Sequence, residues 1–312
     1  MSAIHTHASP PSSRDLQIGI AAALAAALIG SAWQITSRHG VTTSLGPLEV
    51  AMLRYGVPTF ALLPLSLRGA LFPQQLPTGA SRGLLFIVAA GGGLPFGLVV
   101  LAGAQWAPAA HMGIFMAGAL PLFTALGAWL VSGEKLSALR LVGLGLLCAG
   151  IVSFGINGPA STPGAWRGDL LFLLAAVLWA AHSLAFRRCG LSPWQGAAFV
   201  NGWSFIGLLP VALVAGLPRL QSAPWQDIAL QGVMQGLVAG MLGLVIYLVA
   251  VDRLGATRAA LSAALVPVFT ALGAAWLLSE PMTASTWVAL VLVVPGVALA
   301  SGVPGHRRSR FG

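Results

Sequence analysis

Charged residues are scarce in this sequence, and their scarcity excludes an ordinary water-soluble surface. They account for 7% of the 312 residues, whereas a soluble domain carries about 25%. Apolar residues account for 57%. A chain of this composition has too few polar side chains to cover a soluble fold, so we predict a membrane protein.

Cysteines and runs of charge are also nearly absent. Cys148 and Cys189 are the two cysteines of the chain, and their spacing matches neither a disulfide framework nor a metal motif. The net charge of +9 comes from basic residues scattered singly between apolar runs, unlike a nucleic-acid-binding patch. Residues 1–15 lack the basic region of a cleaved signal peptide, so we predict a short, disordered cytoplasmic tail.

Hydrophobic runs of about twenty residues recur along the chain, and each is long enough to cross a bilayer as a helix. A helix satisfies its backbone groups internally, as the hydrocarbon core requires. The connecting loops are too short to hold a second soluble domain. We therefore predict an all-α integral membrane protein with ten transmembrane helices, at residues 16–37, 46–67, 83–104, 108–131, 138–156, 169–186, 195–216, 229–251, 258–278 and 284–302.

One octet occurs twice, as PLFTALGA at 121–128 and PVFTALGA at 267–274. The same shift of 146 residues aligns 45–151 with 191–297 without a net gap, and it matches Pro, Gly and Glu as well as the common Leu and Ala. Matches of the rarer residues at one constant offset indicate an internal duplication. The sequence therefore predicts two five-helix repeats.

Five spans are an odd number, so the second repeat must begin on the opposite side of the membrane and the repeats must be inverted. With both termini in the cytoplasm, twelve Lys and Arg residues fall inside and three fall outside, namely Arg38, Arg167 and Arg219. This excess agrees with the positive-inside rule. The predicted organisation is a cytoplasmic tail at 1–15, a first repeat at 16–156, an external linker at 157–168, a second repeat at 169–302 and a basic cytoplasmic tail at 303–312.

Three stretches resemble the EamA family of the drug/metabolite transporter superfamily: LRYGVPTFALLPL, ALPLFTALGAWLVSGEKLSALRLVGLGLLCAGI and ALVPVFTALGAAWLLSEPMTASTWVALVLVVPGV. The resemblance implies a secondary transporter of the bacterial inner membrane that exports amino acids or related small metabolites by alternating access. It also implies a cavity lined mainly by spans 1, 3, 4, 6, 8 and 9. A multidrug exporter is the main alternative; an integral membrane enzyme and a non-transporting scaffold are less favoured.

Two prolines fall near the middle of predicted spans. Pro121 and Pro267 lack an N–H and should bend spans 4 and 9. The hydroxyls of Thr124 and Thr270, three residues later, could bond backbone groups that the prolines free. We favour kinks with local repair over a gating or cavity-lining role.

Glu134 and Glu280 precede apolar runs at the membrane boundary. We expect both to cap helix N-termini rather than carry protons, with Pro281 in the first turn of the last helix. Arg54 is a charge within a span, a position that is costly and usually functional. Its repeat partner is Val200. A role in the substrate pathway, snorkelling to the outer interface and pairing with Glu49 all stay open.

His111 and His182 could take up protons between pH 5 and 8, although a hydrogen-bonded structural histidine is the commoner case. Further candidates for the substrate pathway are Trp33, Gln105, Trp179, Asn201, Gln235 and Ser262. The sequence predicts no catalytic residue, no cofactor and no metal. The expected partners are a small-molecule substrate and the lipid bilayer, without nucleic acid; proton coupling and oligomeric state stay open.

Overall fold

A computed structural model describes residues 13–70, 81–134, 136–157, 163–254 and 262–301, which contain helices and no strand. The α-helices are α1 (Ser13–Thr42), α2 (Pro47–Ala61), α3 (Leu63–Leu65), α4 (Arg82–Gly92), α5 (Leu94–Trp106), α6 (Ala109–Met112), α7 (Leu120–Ser132), α8 (Ala138–Asn157), α9 (Ala165–Cys189), α10 (Pro193–Ala215), α11 (Pro218–Ser222), α12 (Trp225–Gln231), α13 (Gly243–Leu254), α14 (Val266–Leu277) and α15 (Ala284–Ala300).

Wider π-helical turns occupy Ser66–Ala70, Gly113–Ala117 and Gly232–Leu242, and a 3₁₀ turn occupies Ser262–Leu265. They continue neighbouring α-helices rather than standing alone. Wide turns of this kind leave the ordinary hydrogen-bonding ladder and often occur at functional sites. The interruptions therefore mark where these apolar segments change direction or pitch.

Seven helical segments in the described ranges are long and apolar enough to cross a membrane. They are Ser13–Thr42, Arg82–Trp106, Ala109–Val131, Ala138–Ile156, Ala165–Cys189, Pro193–Ala215 and Trp225–Tyr247. Several helices of this length and apolar composition are typical of a multi-pass membrane protein. The predicted all-α membrane class is thus confirmed.

The other three predicted spans contain shorter or broken helices. In the second span α2 ends at Ala61 and Leu62 forms a turn, because Pro64 has no N–H with which to continue the ladder. Ser262–Leu277 and α15 are apolar but shorter. Of the predicted tails and linker, residues 1–12, 158–162 and 302–312 lie outside the described residues, while α1 already begins at Ser13. Cys189 ends α9 and is buried.

The helices pack in a regular set of pairs. The most extensive pair is α8 on α15. Helix α1 packs on α13 and α14, and α9 packs on α4, α5 and α7. Helix α2 packs on Gly232–Leu242 and on α10. Each half of the chain is therefore held mainly by contacts with the other half.

Glycines bring the backbones of α8 and α15 close together. A Cβ on Gly143 would lie 2.5 Å from the Ala300 nitrogen, and a Cβ on Gly296 would lie 2.9 Å from Leu147 Cγ. Small residues of this kind let membrane helices gain packing energy where the hydrophobic effect is absent. Val293 and Leu147 are fully buried beside these contacts.

Helix starts recur at the spacing of the sequence repeat. The first residues of α2 and α10, of α7 and α14, and of α8 and α15 are 146 positions apart, at 47 and 193, 120 and 266, and 138 and 284. Even the capping bonds of the last pair correspond. The Arg140 N–H donates to Ser137 Oγ and the Thr286 N–H donates to Thr283 Oγ1, each at 3.3 Å. The repeat thus extends to local structure.

The repeated octets begin helices after an interruption. Pro121 and Pro267 lie in the first turns of α7 and α14, directly after the irregular turns at Gly113–Ala119 and Ser262–Leu265. First-turn proline is favourable because its missing N–H has no partner there. The octets therefore restart helices directly after irregular turns, and a bend at each of them stays a prediction.

The glycine contacts predict a difference between two substitutions on one helix. Gly143→Leu should lower stability by about 1–3 kcal/mol through overpacking, because its Cβ meets the α15 backbone. Gly145→Leu should change stability by less than about 0.5 kcal/mol, as expected away from packed sites, since no atom lies within 4 Å of its Cβ. Thermal unfolding of the detergent-solubilised proteins measures both. Equal midpoints for the two variants would contradict this packing.

Candidate substrate site

Five residues from separate helical segments meet in the interior. Trp33 lies on α1, Arg54 on α2, Phe96 on α5, Trp179 on α9 and Gln235 in Gly232–Leu242. We call these five residues the central cluster. Each lies in a helical segment rather than in a connecting loop. The cluster brings together four residues predicted from the sequence and one, Phe96, that was not.

Gln235 is the polar centre of the cluster. Its side-chain oxygen accepts a hydrogen bond from Trp33 Nε1 at 2.8 Å and a longer one from Arg54 Nη1 at 3.4 Å. Its amide nitrogen donates to Ser37 Oγ at 2.9 Å, and Ser37 Oγ donates to the Trp33 carbonyl at 2.7 Å. Both ends of the amide are therefore used, so Gln235 holds a defined orientation.

Arg54 lies against aromatic rings. Its guanidinium carbon is 4.8 Å from the centroid of the Trp33 ring and 5.6 Å from that of Tyr55. Tyr55 is itself fixed, because its hydroxyl donates to the Gly93 carbonyl at 2.6 Å. The Arg54 side chain thus packs into the interior instead of extending to an interface, which is where snorkelling would have placed it.

Aromatic side chains form a continuous row through the cluster. Phe96 lies between Trp33 and Trp179, with ring centroids 6.0 Å and 4.9 Å away. The row continues from Trp179 to His182 at 5.1 Å and from His182 to Phe186 at 5.8 Å. Phe96 is buried, whereas Trp33 and Trp179 are partly exposed. The row therefore offers apolar ring faces beside the Arg54 cation.

No carboxylate among the described side chains pairs with Arg54, because all six of them bond elsewhere. Glu49, which we had considered as its partner, accepts the Gly46 N–H at 3.1 Å. The other pairs are Asp15 with Arg253, Glu134 with Arg140, Asp169 with His111, Asp227 with Ser44 and Glu280 with Arg38. The seventh acidic residue, Asp252, lies on α13, and its side chain is outside the described set.

The charge of Arg54 is therefore only partly compensated. The residue is 9% exposed, and its Nε atom is buried without a hydrogen-bond partner in the described structure. Desolvating an ion costs several kcal/mol, whereas a desolvated cation–π contact returns about 2 kcal/mol. The long bond to Gln235 adds little. The site consequently favours an additional anionic or strongly accepting group beside the guanidinium.

Glu280 joins three parts of the chain away from the cluster. Its carboxylate accepts the N–H groups of Ala109 at 2.9 Å and Ala110 at 3.3 Å, and it lies 3.6 Å from Arg38 Nε. It therefore caps α6. Our expectation that it caps the last helix, with Pro281 in the first turn, is wrong, because α15 begins at Ala284 and is capped by Thr283.

Glu134 plays a different role from its repeat partner. It accepts a hydrogen bond from Arg140 Nη1 at 3.0 Å, and its side chain is half exposed. Ser137 caps the following helix instead of Glu134. The expectation of a capping glutamate is therefore wrong here too, because a hydroxyl nearer the helix supplies the acceptor.

The two candidate histidines occupy separate environments. His111 Nδ1 lies 2.7 Å from Asp169 Oδ1, and its buried Nε2 has no partner among the described atoms. Its ring meets Phe154 edge to face at 4.7 Å. His182 Nδ1 lies 2.8 Å from the Val88 carbonyl and belongs to the aromatic row. Only His182 therefore adjoins the central cluster.

Five other predicted candidates lie outside the cluster. Thr124 donates to the Leu120 carbonyl and Asn201 to the Ala197 carbonyl, each within its own helix at 2.8 Å. Thr270 instead donates to Gln34 Oε1 at 3.2 Å, so it does not perform the local backbone repair that we had expected. Gln105 is exposed and Ser262 is buried in the 3₁₀ turn. Their roles in a pathway stay predictions.

Sequence reasoning missed Phe96, Ser37 and Asp169. Phe96 had a usable signal, because it follows the interruption at Gly93 and Pro95, where a helix restarts. Asp169 had another, since it is one of only seven acidic residues and precedes an apolar run. Ser37 had none, because a hydroxyl at its position could as well have bonded only its own helix.

One family profile and several known proteins match this chain. The sequence profile of the EamA-like transporter family matches residues 17–156 and 166–302. The uncharacterized protein PA1977 of Pseudomonas aeruginosa is 32% identical over 202 residues, which are 62% of this chain and 68% of that protein. Protein LicB of Haemophilus influenzae is 29% identical over 130 residues, 41% of this chain and 44% of its own length. A protein of known crystal structure matches over 93% of this chain and 96% of that protein, with a TM-score of 0.57 and 20% identity. This likeness concerns the fold alone.

The two glutamates predict unequal effects of the same substitution. Glu280→Gln should lower stability by about 1–3 kcal/mol, because charge-assisted bonds to two N–H groups and Arg38 are lost. Glu134→Gln should cost less than about 1 kcal/mol, as expected for an exposed ion pair. Thermal unfolding of the two purified variants compares them directly. A loss from Glu134→Gln as large as that from Glu280→Gln would show that Glu280 does not hold α6.

Proposed function

Because this chain belongs to the EamA-like transporter family of the drug/metabolite transporter superfamily, we propose that it is a secondary transporter of the bacterial inner membrane. It exports amino acids or related small metabolites by alternating access. The observation that carries this proposal is the central cluster, where buried polar and charged side chains from both halves meet in an apolar helical protein. Polar groups at such positions line substrate sites.

The proposed architecture is ten spans in two inverted repeats. Each of the ten predicted spans contains a described helix, including the three short or broken ones. The packing pairs also exchange when the halves are exchanged: α1 on α13 and α14 corresponds to α9 on α4, α5 and α7. In the pairs α2 with α10 and α8 with α15, each helix is the counterpart of its partner, so exchanging the halves leaves these pairs unchanged. A two-fold relation between the halves would produce this pattern.

Contacts near the ends of the predicted spans support the proposed sidedness. Arg38 with Glu280, Ser44 with Asp227 and His111 with Asp169 each join residues that we place on the outer side. Asp15 with Arg253 joins residues that we place on the inner side. The excess of basic residues then assigns that inner side, with both termini, to the cytoplasm.

Alternating access would use the interruptions in the helices. Residues Gly113–Ala119 and Ser262–Leu265 directly precede the octet helices α7 and α14 in the two halves. Departures from regular α-helix of this kind are where helices bend. We propose that the two repeats rock about the central cluster, with the bends at these two segments.

A multidrug exporter is the alternative within transport. The aromatic row would suit varied apolar compounds, but the oriented Gln235 and the undercompensated Arg54 favour a cargo with a defined polar group. An integral membrane enzyme would need acid–base groups arranged around a reacting atom. The polar groups of the cluster instead bond one another, which favours binding over chemistry.

The inverted architecture predicts opposite labelling of two matched alanines. Ala138 and Ala284 begin α8 and α15, are 146 positions apart and are both exposed. In a cysteine-free background, an impermeant maleimide should label Ala284→Cys from outside the cell and Ala138→Cys only from the cytoplasmic side. Labelling of both positions from the same side would contradict inversion.

Transport itself is tested by flux in reconstituted vesicles. Vesicles loaded with a panel of amino acids and small metabolites should show protein-dependent release of some of them. Gln235→Leu should lower that release by about tenfold, because its three hydrogen bonds, with Trp33, Arg54 and Ser37, are lost. Gln226→Leu, at an exposed position earlier in the same segment, should have no effect at equal protein abundance.

A repeat of the panel with the proton gradient dissipated determines the coupling. Release that stops without the gradient would indicate proton-coupled transport, and unchanged release would indicate movement down the gradient of the cargo. No protein-dependent flux of any compound under either condition would contradict the transporter proposal.

A further inference from the structure

The geometry points to Arg54 as the anion-recognition residue of the central cluster, and we infer that the cargo carries a single carboxylate beside an apolar, planar body. This inference rests on the proposed transport function and adds the chemical class of the substrate. It depends on three observations: an undercompensated cation, the number of charges near it and the rings that surround it.

The cation is positioned for a ligand rather than for a protein partner. Arg54 is 9% exposed, its Nε atom has no hydrogen-bond partner in the described structure, and its Nη1 reaches Gln235 only at 3.4 Å. The six described carboxylates are all engaged elsewhere, as shown above. A guanidinium with unused donors presents a planar fork that fits a carboxylate with two parallel bonds.

The charge balance favours a monoanion. Of the five residues of the central cluster, Arg54 is the one with a positively charged side chain. The nearest basic residue on α1, Arg38, is paired with Glu280. A carboxylate would neutralise Arg54, whereas a phosphate group at neutral pH would leave about one further negative charge in an apolar interior. The single guanidinium therefore selects a carboxylate over a phosphate ester.

The rings beside Arg54 define the rest of the ligand. Trp33, Phe96 and Trp179 form a row of ring faces with centroids 6.0 Å and 4.9 Å apart. Trp33 also lies under the guanidinium at 4.8 Å. A ligand whose carboxylate binds Arg54 would place its remaining atoms along this row, where an apolar or aromatic group packs favourably. Trp33 thus belongs to both parts of the site.

Gln235 explains why the cation remains available. It is a neutral amide, held by Trp33 and Ser37, at the position nearest the guanidinium. A carboxylate at this position would form an internal ion pair with Arg54 and would compete with any anionic ligand. Gln235→Glu differs from the native side chain by only one group, so it tests this point with little change in volume.

Binding to the purified protein in nanodiscs tests the inference with probes that all contain a phenyl ring and differ in their polar group. The probes are 3-phenylpropionate, phenylalanine, phenylalaninamide, 2-phenylethylamine and phenyl phosphate, and quenching of tryptophan fluorescence reports binding. We expect 3-phenylpropionate and phenylalanine to bind at least about tenfold more tightly than the amide and the amine, as a charge-assisted pair implies. Phenyl phosphate should bind more weakly than 3-phenylpropionate.

Two variants test Arg54 itself, a third tests its neighbour Gln235 and a fourth is the control. Arg54→Gln should weaken carboxylate binding by about 10- to 100-fold, and Arg54→Lys should bind with intermediate affinity because it keeps the charge without the planar fork. Gln235→Glu should abolish carboxylate binding while keeping the protein folded, which preserves the test if Arg54→Gln fails to fold. Arg140→Gln, which removes an equal charge from a pair with Glu134, should bind like the native protein.

The outcomes separate this inference from the proposed function. Equal affinity for 3-phenylpropionate and phenylalaninamide, tighter binding of phenyl phosphate, no binding of either carboxylate probe, or unchanged carboxylate binding by Gln235→Glu would each overturn it. If vesicles still transport a compound in those cases, the transporter proposal stands without it. Arg54-dependent carboxylate binding without flux of any compound would support the recognition site and contradict transport.

Discussion

A guanidinium held in an apolar helical interior, without a carboxylate partner among the described side chains, is the constraint on which the centre of this protein depends. Arg54 packs over the Trp33 and Tyr55 rings and bonds the oxygen of Gln235 at 3.4 Å. That oxygen also accepts the Trp33 N–H, and the amide end of Gln235 bonds Ser37. The position of the cation is thus determined by side chains from α1, α2 and Gly232–Leu242. These segments also pack against one another.

The two repeats share the positions of their helices, whereas residues of the central cluster differ in type from their counterparts in the other repeat. Helices of the two halves begin 146 residues apart, yet the positions that correspond to Arg54, Phe96 and Gln235 are Val200, Leu242 and Ala89. Glu134 and Glu280 are the same residue type, but Glu134 bonds a surface Arg and Glu280 caps α6. The features that the two repeats share therefore determine how the helices pack, while the differences between them determine where charged side chains lie.

Much of this could be predicted from the sequence, because membrane helices and duplications leave long, regular signals. Charge scarcity and apolar runs predicted the helical membrane class, and the octets predicted the 146-residue repeat that also separates the starts of α7 and α14. The side-chain partners could not be predicted, because they depend on how helices rotate about their axes and which faces meet. Glu280 bonds Ala109 across 171 positions, and Thr270 bonds Gln34 across 236. No local pattern records contacts of that length.

The helix interfaces differ in what separation would cost, and this difference indicates which of them can move. The α8 and α15 pair is apolar and interlocked at Gly143 and Gly296, where displacement would forfeit dispersion contacts without replacement. The links at the end that we place outside are polar, and Arg38 and Glu280 keep 19% and 12% side-chain exposure. Water can replace such bonds at modest cost. Separation of the helices would therefore begin at the polar links and leave the glycine-packed pair in contact.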